Sequence, residues 1–329
     1  MRTTHLLSFL AAATYGVLAD GTTGSSWTYP YPYPVQNHLF PSQRQILAQA
    51  YMDIKPNGTA NNQTIMLLHG KNFCGATWVG SIQALSAAGY RVIAPDQIGF
   101  CKSSKPKGYQ FTLSQLAHNT KGILDSLGIT KLTVMGHSMG GMLATRFALL
   151  YPNITSKLVI VSPLGLEDWQ SLGVPYNSID NIYPGELAAN YTSIRAYQQS
   201  TYYGGTWQPA YDVWVHMLVS LLNSTEGPDL AWNSAQVTDM VFTQPIAHEF
   251  EKLKPPTLLI VGDKDTTAIG KQWAPPDLAP KLGNYSALGP KVAAKIPNST
   301  YVHWEDLGHS PQIQDPGRFH SALLDWLRK

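Results

Sequence analysis

The sequence predicts an α/β protein built on a mostly parallel sheet with helices on both faces and a helical insertion. Three observations predict it. Short, nearly all-apolar runs alternate with longer stretches of helical spacing, which is how strands buried on both faces read. One of these runs passes directly into a helix through Gly136-His137-Ser138-Met139-Gly140. Between Leu164 and Glu251 the alternation stops, and no strand is evident in a segment crowded with tyrosine and tryptophan. At 329 residues the chain can bury a large core. Its 23 Lys plus Arg nearly balance 21 Asp plus Glu, so charge gives no reason to expect a nucleic-acid partner.

Taken in order, Met1 to Ala19 reads as a cleaved signal segment. Arg2 gives a positive start, Leu6 to Val17 is apolar, and Val17-Leu18-Ala19 carries small residues at the offsets expected of a cleavage site. The apolar part is short for a membrane span, and no other stretch is long and apolar enough to be one. A secreted protein beginning near Asp20 is therefore expected. Seven Asn-x-Ser/Thr sites, at Asn57, Asn62, Asn153, Asn190, Asn223, Asn284 and Asn298, agree with a eukaryotic secretory route and with glycosylation.

Residues 20–42 are rich in Tyr, Pro and Ser. Because proline removes ladder donors, this part predicts an extended arm rather than a strand or helix, packed across the domain surface, with a recognition segment for a partner as the alternative. The core, 43–163 and 252–329, then begins. Strands are expected at Ala50 to Ile54, Thr64 to Leu68, Arg91 to Ala94, Leu132 to Met135, Leu158 to Val161, Thr257 to Val261 and Thr300 to His303. Helices are expected at Trp78 to Ala88 and Leu113 to Leu127, stopped by Gly89 and Gly128, and at Pro316 to Leu327. Residues 164–251 form the helical insertion, with Tyr211 to Leu222 its clearest helix.

The chemistry concentrates at strand ends. A strand that turns at once into a helix strains the turning residue, and Gly136 and Gly140 let the two elements approach. Ser138 is then presented at the tip, with the first N–H groups of the helix aimed at the same point. A serine hydroxyl is a weak nucleophile that needs a base, and the base needs an orienting acid. Two acids, Asp263 and Asp265, follow the Thr257 strand, and His309 lies in a loop before the last helix. The chain order is thus Ser, Asp, His.

These residues, together with His69-Gly70 after one strand and Pro95 to Phe100 after another, resemble the α/β-hydrolase superfamily in its cap-bearing branch. The resemblance implies the α/β-hydrolase fold with 164–251 as the cap. It implies Ser138 as nucleophile, His309 as general base and acid, and Asp265 rather than Asp263 as the acid. It implies an oxyanion hole from the backbone N–H groups of Met139 and Lys71, with Asn72 the near alternative for the second donor. Serine at the elbow argues against the relatives with an aspartate nucleophile.

The cap aromatics suggest a compact apolar or aromatic small-molecule substrate. Asn72, Tyr202, Tyr203, Trp207 and Trp214 are the candidate pocket residues. Cys74 and Cys101 follow consecutive strands, and two cysteines in a secreted chain favour a disulfide over two buried thiols. No cofactor or metal is expected. A secreted serine hydrolase of an ester or lactone is the leading expectation. Carbon–carbon bond hydrolysis, amino-terminal peptide cleavage and a non-hydrolytic biosynthetic or binding role are the alternatives. A peptidase would need a cap acid to hold the amine, and Asp180, Glu186, Asp212 and Glu226 are available.

Overall fold

The structure, a computed structural model, describes residues 24–329. The expected signal segment and the first residues of the arm lie outside the described residues. Strands β1 (Val35–Ser42), β2 (Gln45–Ile54), β3 (Thr64–Leu68), β4 (Arg91–Pro95), β5 (Leu132–His137), β6 (Thr155–Val161), β7 (Thr257–Gly262) and β8 (Ser299–Trp304) form one sheet. Their order is β1-β2-β4-β3-β5-β6-β7-β8. The first two strands run antiparallel to each other, and β2 runs antiparallel to β4; β3 to β8 pair in parallel.

Both faces of the parallel part are covered, which is why its strands read as continuous apolar runs. Alternate residues go to opposite faces. Met66, Leu68, Val134, Leu158, Ile160 and Leu259 pack with helices α2 (Leu113–Ser126), α3 (Met139–Leu150) and α8 (Tyr285–Lys295). Ile65, Leu67, Met135, Val159, Leu258 and Ile260 pack with α1 (Val79–Ala87) and α10 (Pro316–Leu327), which follows the short α9 (Pro311–Gln314). Between β6 and β7 the chain leaves the sheet for α4 (Ile179–Leu187), α5 (Tyr191–Tyr197), α6 (Asp212–Leu222) and α7 (Gly227–Thr243), all helical as expected.

The arm differs from expectation at its end. Val35 to Ser42 is not a surface arm but β1, paired residue for residue with β2 from Val35–Met52 to Ser42–Gln45. Pro41 is tolerated because β1 is an edge strand, whose outer side needs no ladder donor. The preceding residues do run across the surface, and they tie core to cap. Tyr31 donates its hydroxyl to Asp96 at 2.7 Å, the Trp27 indole N–H donates to Ser220 on α6 at 3.1 Å, and Ser25 donates to Glu226 at 2.6 Å. Among the described residues no helix is long and apolar enough to cross a membrane.

The strand order reverses between β3 and β5. In open α/β sheets ligands sit outside the carboxyl ends of the strands at such a point. Lys71 follows β3 and Ser138 follows β5, so the topology alone brings the two loops side by side.

Candidate active site

Ser138 stands between β5 and α3 with φ 58° and ψ −124°, a conformation that costs a non-glycine residue on the order of 1–3 kcal/mol. The surroundings hold it there. Its N–H donates to the Val161 carbonyl, and its own carbonyl accepts from the N–H groups of Gly141, Met142 and Leu164. The tight approach requires glycine: a Cβ on Gly136 would lie 1.9 Å from the Gly140 carbonyl oxygen, and one on Gly140 would lie 2.1 Å from that of Leu68.

His309, fully buried in the loop after β8, donates from Nδ1 to Asp265 Oδ2 at 2.7 Å. A carboxylate only accepts, so the proton sits on Nδ1 and Nε2 carries the lone pair. Nε2 is buried and has no partner among the described residues. The second Asp265 oxygen accepts from the Thr267 N–H at 2.9 Å, which fixes the carboxylate plane. The alternative acid, Asp263, instead meets the exposed His303 at 2.9 Å. The structure therefore brings Asp265, not Asp263, to His309.

Two residues that sequence reasoning passed over also hold this histidine. His137 donates from Nε2 to the His309 carbonyl at 2.7 Å, with the two rings 4.8 Å apart. Burial first, and the neighbouring His309 second, push the His137 pKa well below its ordinary value, so it stays a neutral donor. Tyr285 sets its ring edge-on to His309 and donates its buried hydroxyl to the Pro163 carbonyl at 2.8 Å. The only sequence hint was that His137 lies inside the elbow motif. Its partner is 172 residues away.

The loop after β3 lies against Ser138, since a Cβ on Gly70 would sit 2.9 Å from the Ser138 Cβ. His69 braces it: Nδ1 donates to the Gly70 carbonyl at 2.7 Å, and Nε2 accepts from the Gln97 N–H at 2.9 Å. Burial lowers the His69 pKa, in keeping with this neutral tautomer. The Phe73 N–H closes the turn onto Gly70. Among the described residues no acceptor meets the N–H groups of Lys71, Asn72 or Met139, so they remain free to hold a developing oxyanion.

The Cys74–Cys101 disulfide, with Cα atoms 5.8 Å apart, ties this loop to the loop after β4. Asp96, also at a strand end, organises the same region. It accepts from the N–H groups of Gly75 and Lys102 and from the Tyr31 hydroxyl. The Cys74, Asp96 and Cys101 side chains cluster, but the sulfurs are spent on each other, so the group is no metal site.

A cavity of about 540 Å³ opens over Ser138, between core and cap. Of the candidate pocket residues, Asn72 and Tyr202 line it. Asn72 donates to the Tyr202 hydroxyl at 2.9 Å, and the Tyr202 ring stacks on His309 at 4.9 Å from a π-helical turn, Gln198–Tyr202. Tyr203, Trp207 and Trp214 do not line it. Tyr203 stacks on Tyr211 at 3.9 Å with Trp207 edge-on to both, and Trp214 packs on the main core. Tyr203, Trp207 and Tyr211 thus pack on one another within the cap, which has no sheet to pack against. Trp273, after β7, does line the cavity, as does the Cys101 side of the disulfide.

A sheet of this topology, with a strained serine after its fifth strand and a histidine–aspartate pair after its last two, defines the α/β hydrolase fold. The chain belongs to that family: the family model described as the alpha/beta hydrolase fold matches residues 63–316. Among solved structures it is similar to one described as a probable hydrolytic enzyme from Pseudomonas aeruginosa PAO1, with 53% identity and a TM-score of 0.90 over 92% of this chain and 96% of that one. A 2-hydroxy-6-oxononadienedioate/2-hydroxy-6-oxononatrienedioate hydrolase from Paraburkholderia phymatum is 28% identical over 82% of this chain and 88% of its own. A thermophilic esterase from Thermogutta terrifontis shares the fold, with a TM-score of 0.67 and 22% identity over 89% of this chain and 98% of that one.

Proposed function

We propose that the protein is a serine hydrolase that cleaves an ester or lactone of a small, largely apolar substrate through an acyl-enzyme. The observation that carries this is the buried His309–Asp265 pair, whose Nε2, unpartnered among the described residues, belongs to a ring 4.8 Å from that of His137, the residue before Ser138. His309 takes the Ser138 proton as Oγ attacks the carbonyl carbon. The N–H groups of Met139 and Lys71 hold the oxyanion. His309⁺, steadied by Asp265, returns the proton to the leaving oxygen, and water then releases the acid by the reverse steps. The cavity of about 540 Å³ suits a small molecule rather than a polymer, with Phe100, Leu221, Leu230 and Val241 among its walls.

A panel of short esters and lactones tests this against a binding or biosynthetic role. Ser138→Ala is expected to keep the fold and lose several orders of magnitude in turnover. Binding without turnover in the wild-type protein would favour the non-hydrolytic role. A second reading, carbon–carbon bond hydrolysis, is favoured by the similarity to the oxononadienedioate hydrolase; release of an acid from a 2-hydroxy-6-oxo-dienedioate, with esters inert, would select it. Peptidase action is disfavoured. Of the four cap acids named as candidates, Asp180, Glu186, Asp212 and Glu226, Glu186 alone lines the cavity, and Lys71 holds it at 2.5 Å.

Secretion and glycosylation are part of the same proposal. Its support is the Arg2 to Ala19 pattern and the exposure of all seven sequon asparagines. A mass shift of the secreted protein on treatment with an N-glycosidase is the expected result; an unchanged mass would remove glycosylation from the account.

A further inference from the structure

The cavity over Ser138 carries charge at one place. Among the described residues that line it, Lys71 and Glu186 alone are charged at neutral pH, and they face each other as an ion pair at 2.5 Å. Lys71 comes from the core, on the loop that lies against Ser138. Glu186 comes from the cap, in the last turn of α4, 115 residues away. Both side chains are mostly covered, with 12% and 25% exposure, so the pair is less screened than one in open water. Of the three hydrogens on the Lys71 ammonium, one hydrogen bond is accounted for among the described residues, and it goes to Glu186.

Each partner limits what the other can bind. A substrate carboxylate that approached Lys71 would meet the Glu186 carboxylate already there, and two carboxylates on one ammonium repel. A substrate ammonium would meet the Lys71 charge in the same way. Discrimination of this kind is exerted against the wrong partner and needs no special contact with the right one.

We infer that Glu186 is a specificity-determining residue: by occupying Lys71 it keeps the cavity neutral and turns away esters whose acyl chain bears a carboxylate, so that the substrate class is the uncharged ester or lactone. This rests on the serine-hydrolase reading proposed above. It adds that the cap sets substrate charge through one side chain, and that a single substitution there converts a neutral cavity into a cationic one.

The test uses two p-nitrophenyl esters with five-carbon acyl chains, the pentanoate and the hydrogen glutarate, which differ in a terminal carboxylate. The ratio of kcat/KM for the two is measured in the full chain, in Glu186→Gln, and in Glu186→Gln combined with Lys71→Met. The wild-type protein is expected to favour the pentanoate. Glu186→Gln is expected to move the ratio toward the glutarate by about 10- to 100-fold, the size of one hydrogen bond to a charged group. Lys71→Met is expected to cancel that shift while keeping the backbone N–H at position 71. Added salt is expected to reduce it.

A ratio unchanged in Glu186→Gln, a parallel loss on both esters, or a shift that survives Lys71→Met would each overturn the inference. Glu186→Ala gives the same comparison without an amide in the pair. Binding of both esters to Ser138→Ala, with and without Glu186→Gln, reads the charge preference without turnover. Absence of hydrolysis of either ester in the wild type therefore counts against the hydrolase reading, and the Kd ratio still decides the role of Glu186.

Discussion

Replacing Asp265 by asparagine asks the most of the proposed mechanism, because the two oxygens of that carboxylate have two fixed donors. Oδ2 accepts from His309 Nδ1 at 2.7 Å, and Oδ1 accepts from the Thr267 N–H at 2.9 Å. An asparagine has one oxygen and one NH₂, so one of the two positions must face a donor with a donor. If the NH₂ faces His309, Nδ1 becomes an acceptor and the proton moves to Nε2, the atom that must take the serine proton. If it faces Thr267, two buried donors meet, at a cost of about 1–3 kcal/mol. The first arrangement is the expected one, and it removes the base. A loss in kcat of about 10³ to 10⁴ follows, equal to roughly 4–5.5 kcal/mol of transition-state stabilisation. Asp263→Asn is expected to lose little, because the side-chain partner of Asp263 among the described residues is the exposed His303, away from His309. The assay is kcat for both purified variants on one activated ester, with folding followed by circular dichroism. A crippled Asp263→Asn beside an active Asp265→Asn would refute the assignment.

Two further outcomes are expected. The Cys74–Cys101 disulfide closes a loop of sequence separation 27, so a Cys74→Ser/Cys101→Ser variant should lose roughly 3–4 kcal/mol of stability by the chain-entropy estimate; an unchanged denaturant midpoint, or two free thiols in the denatured unreduced protein, would contradict the bridge. The arm should detach in acid. Burial alone would raise the Glu226 pKa, but hydrogen bonds from Lys105 and Ser25 outweigh it and lower the carboxyl to about 2. A depressed carboxyl stabilises the fold above its ordinary value near 4.5, and that contribution is lost as pH falls from about 4.5 to about 2. Pepsin cleavage near Ser25 to Trp27 should rise across that window, and a protected arm at pH 2 would show that Glu226 does not hold it.

Most of the sheet and the elbow were legible because their signals are local. A short apolar run, a glycine, a serine, a glycine and an apolar run at helical spacing lie within twenty residues. Asp265 was singled out only through the family spacing, since Asp263 and Asp265 are alike as local sequence; in the structure the contacts to the Thr267 N–H and the His309 ring distinguish Asp265. β1 was hidden by Pro41, whose cost vanishes at a sheet edge. Helix α8 was not anticipated, and Gly289 and Pro290 inside it explain why. The cap aromatics announced packing without saying which rings face the cavity: Tyr202 lines it, whereas Tyr203, Trp207 and Trp214 do not. His137 and the Lys71–Glu186 pair join residues more than a hundred positions apart. Such contacts depend on tertiary structure that no local pattern encodes.

In the proposed mechanism Ser138 is the nucleophile, activated by His309. A fluorophosphonate reports on it directly, because the serine oxygen must form a bond to phosphorus as fluoride leaves. Incubation of the folded protein with the reagent, followed by peptide mass spectrometry, is expected to show one adduct per chain, located on Ser138 and missing in Ser138→Ala. Folded protein that remains unlabelled, or an adduct on another serine that persists in Ser138→Ala, would contradict the account.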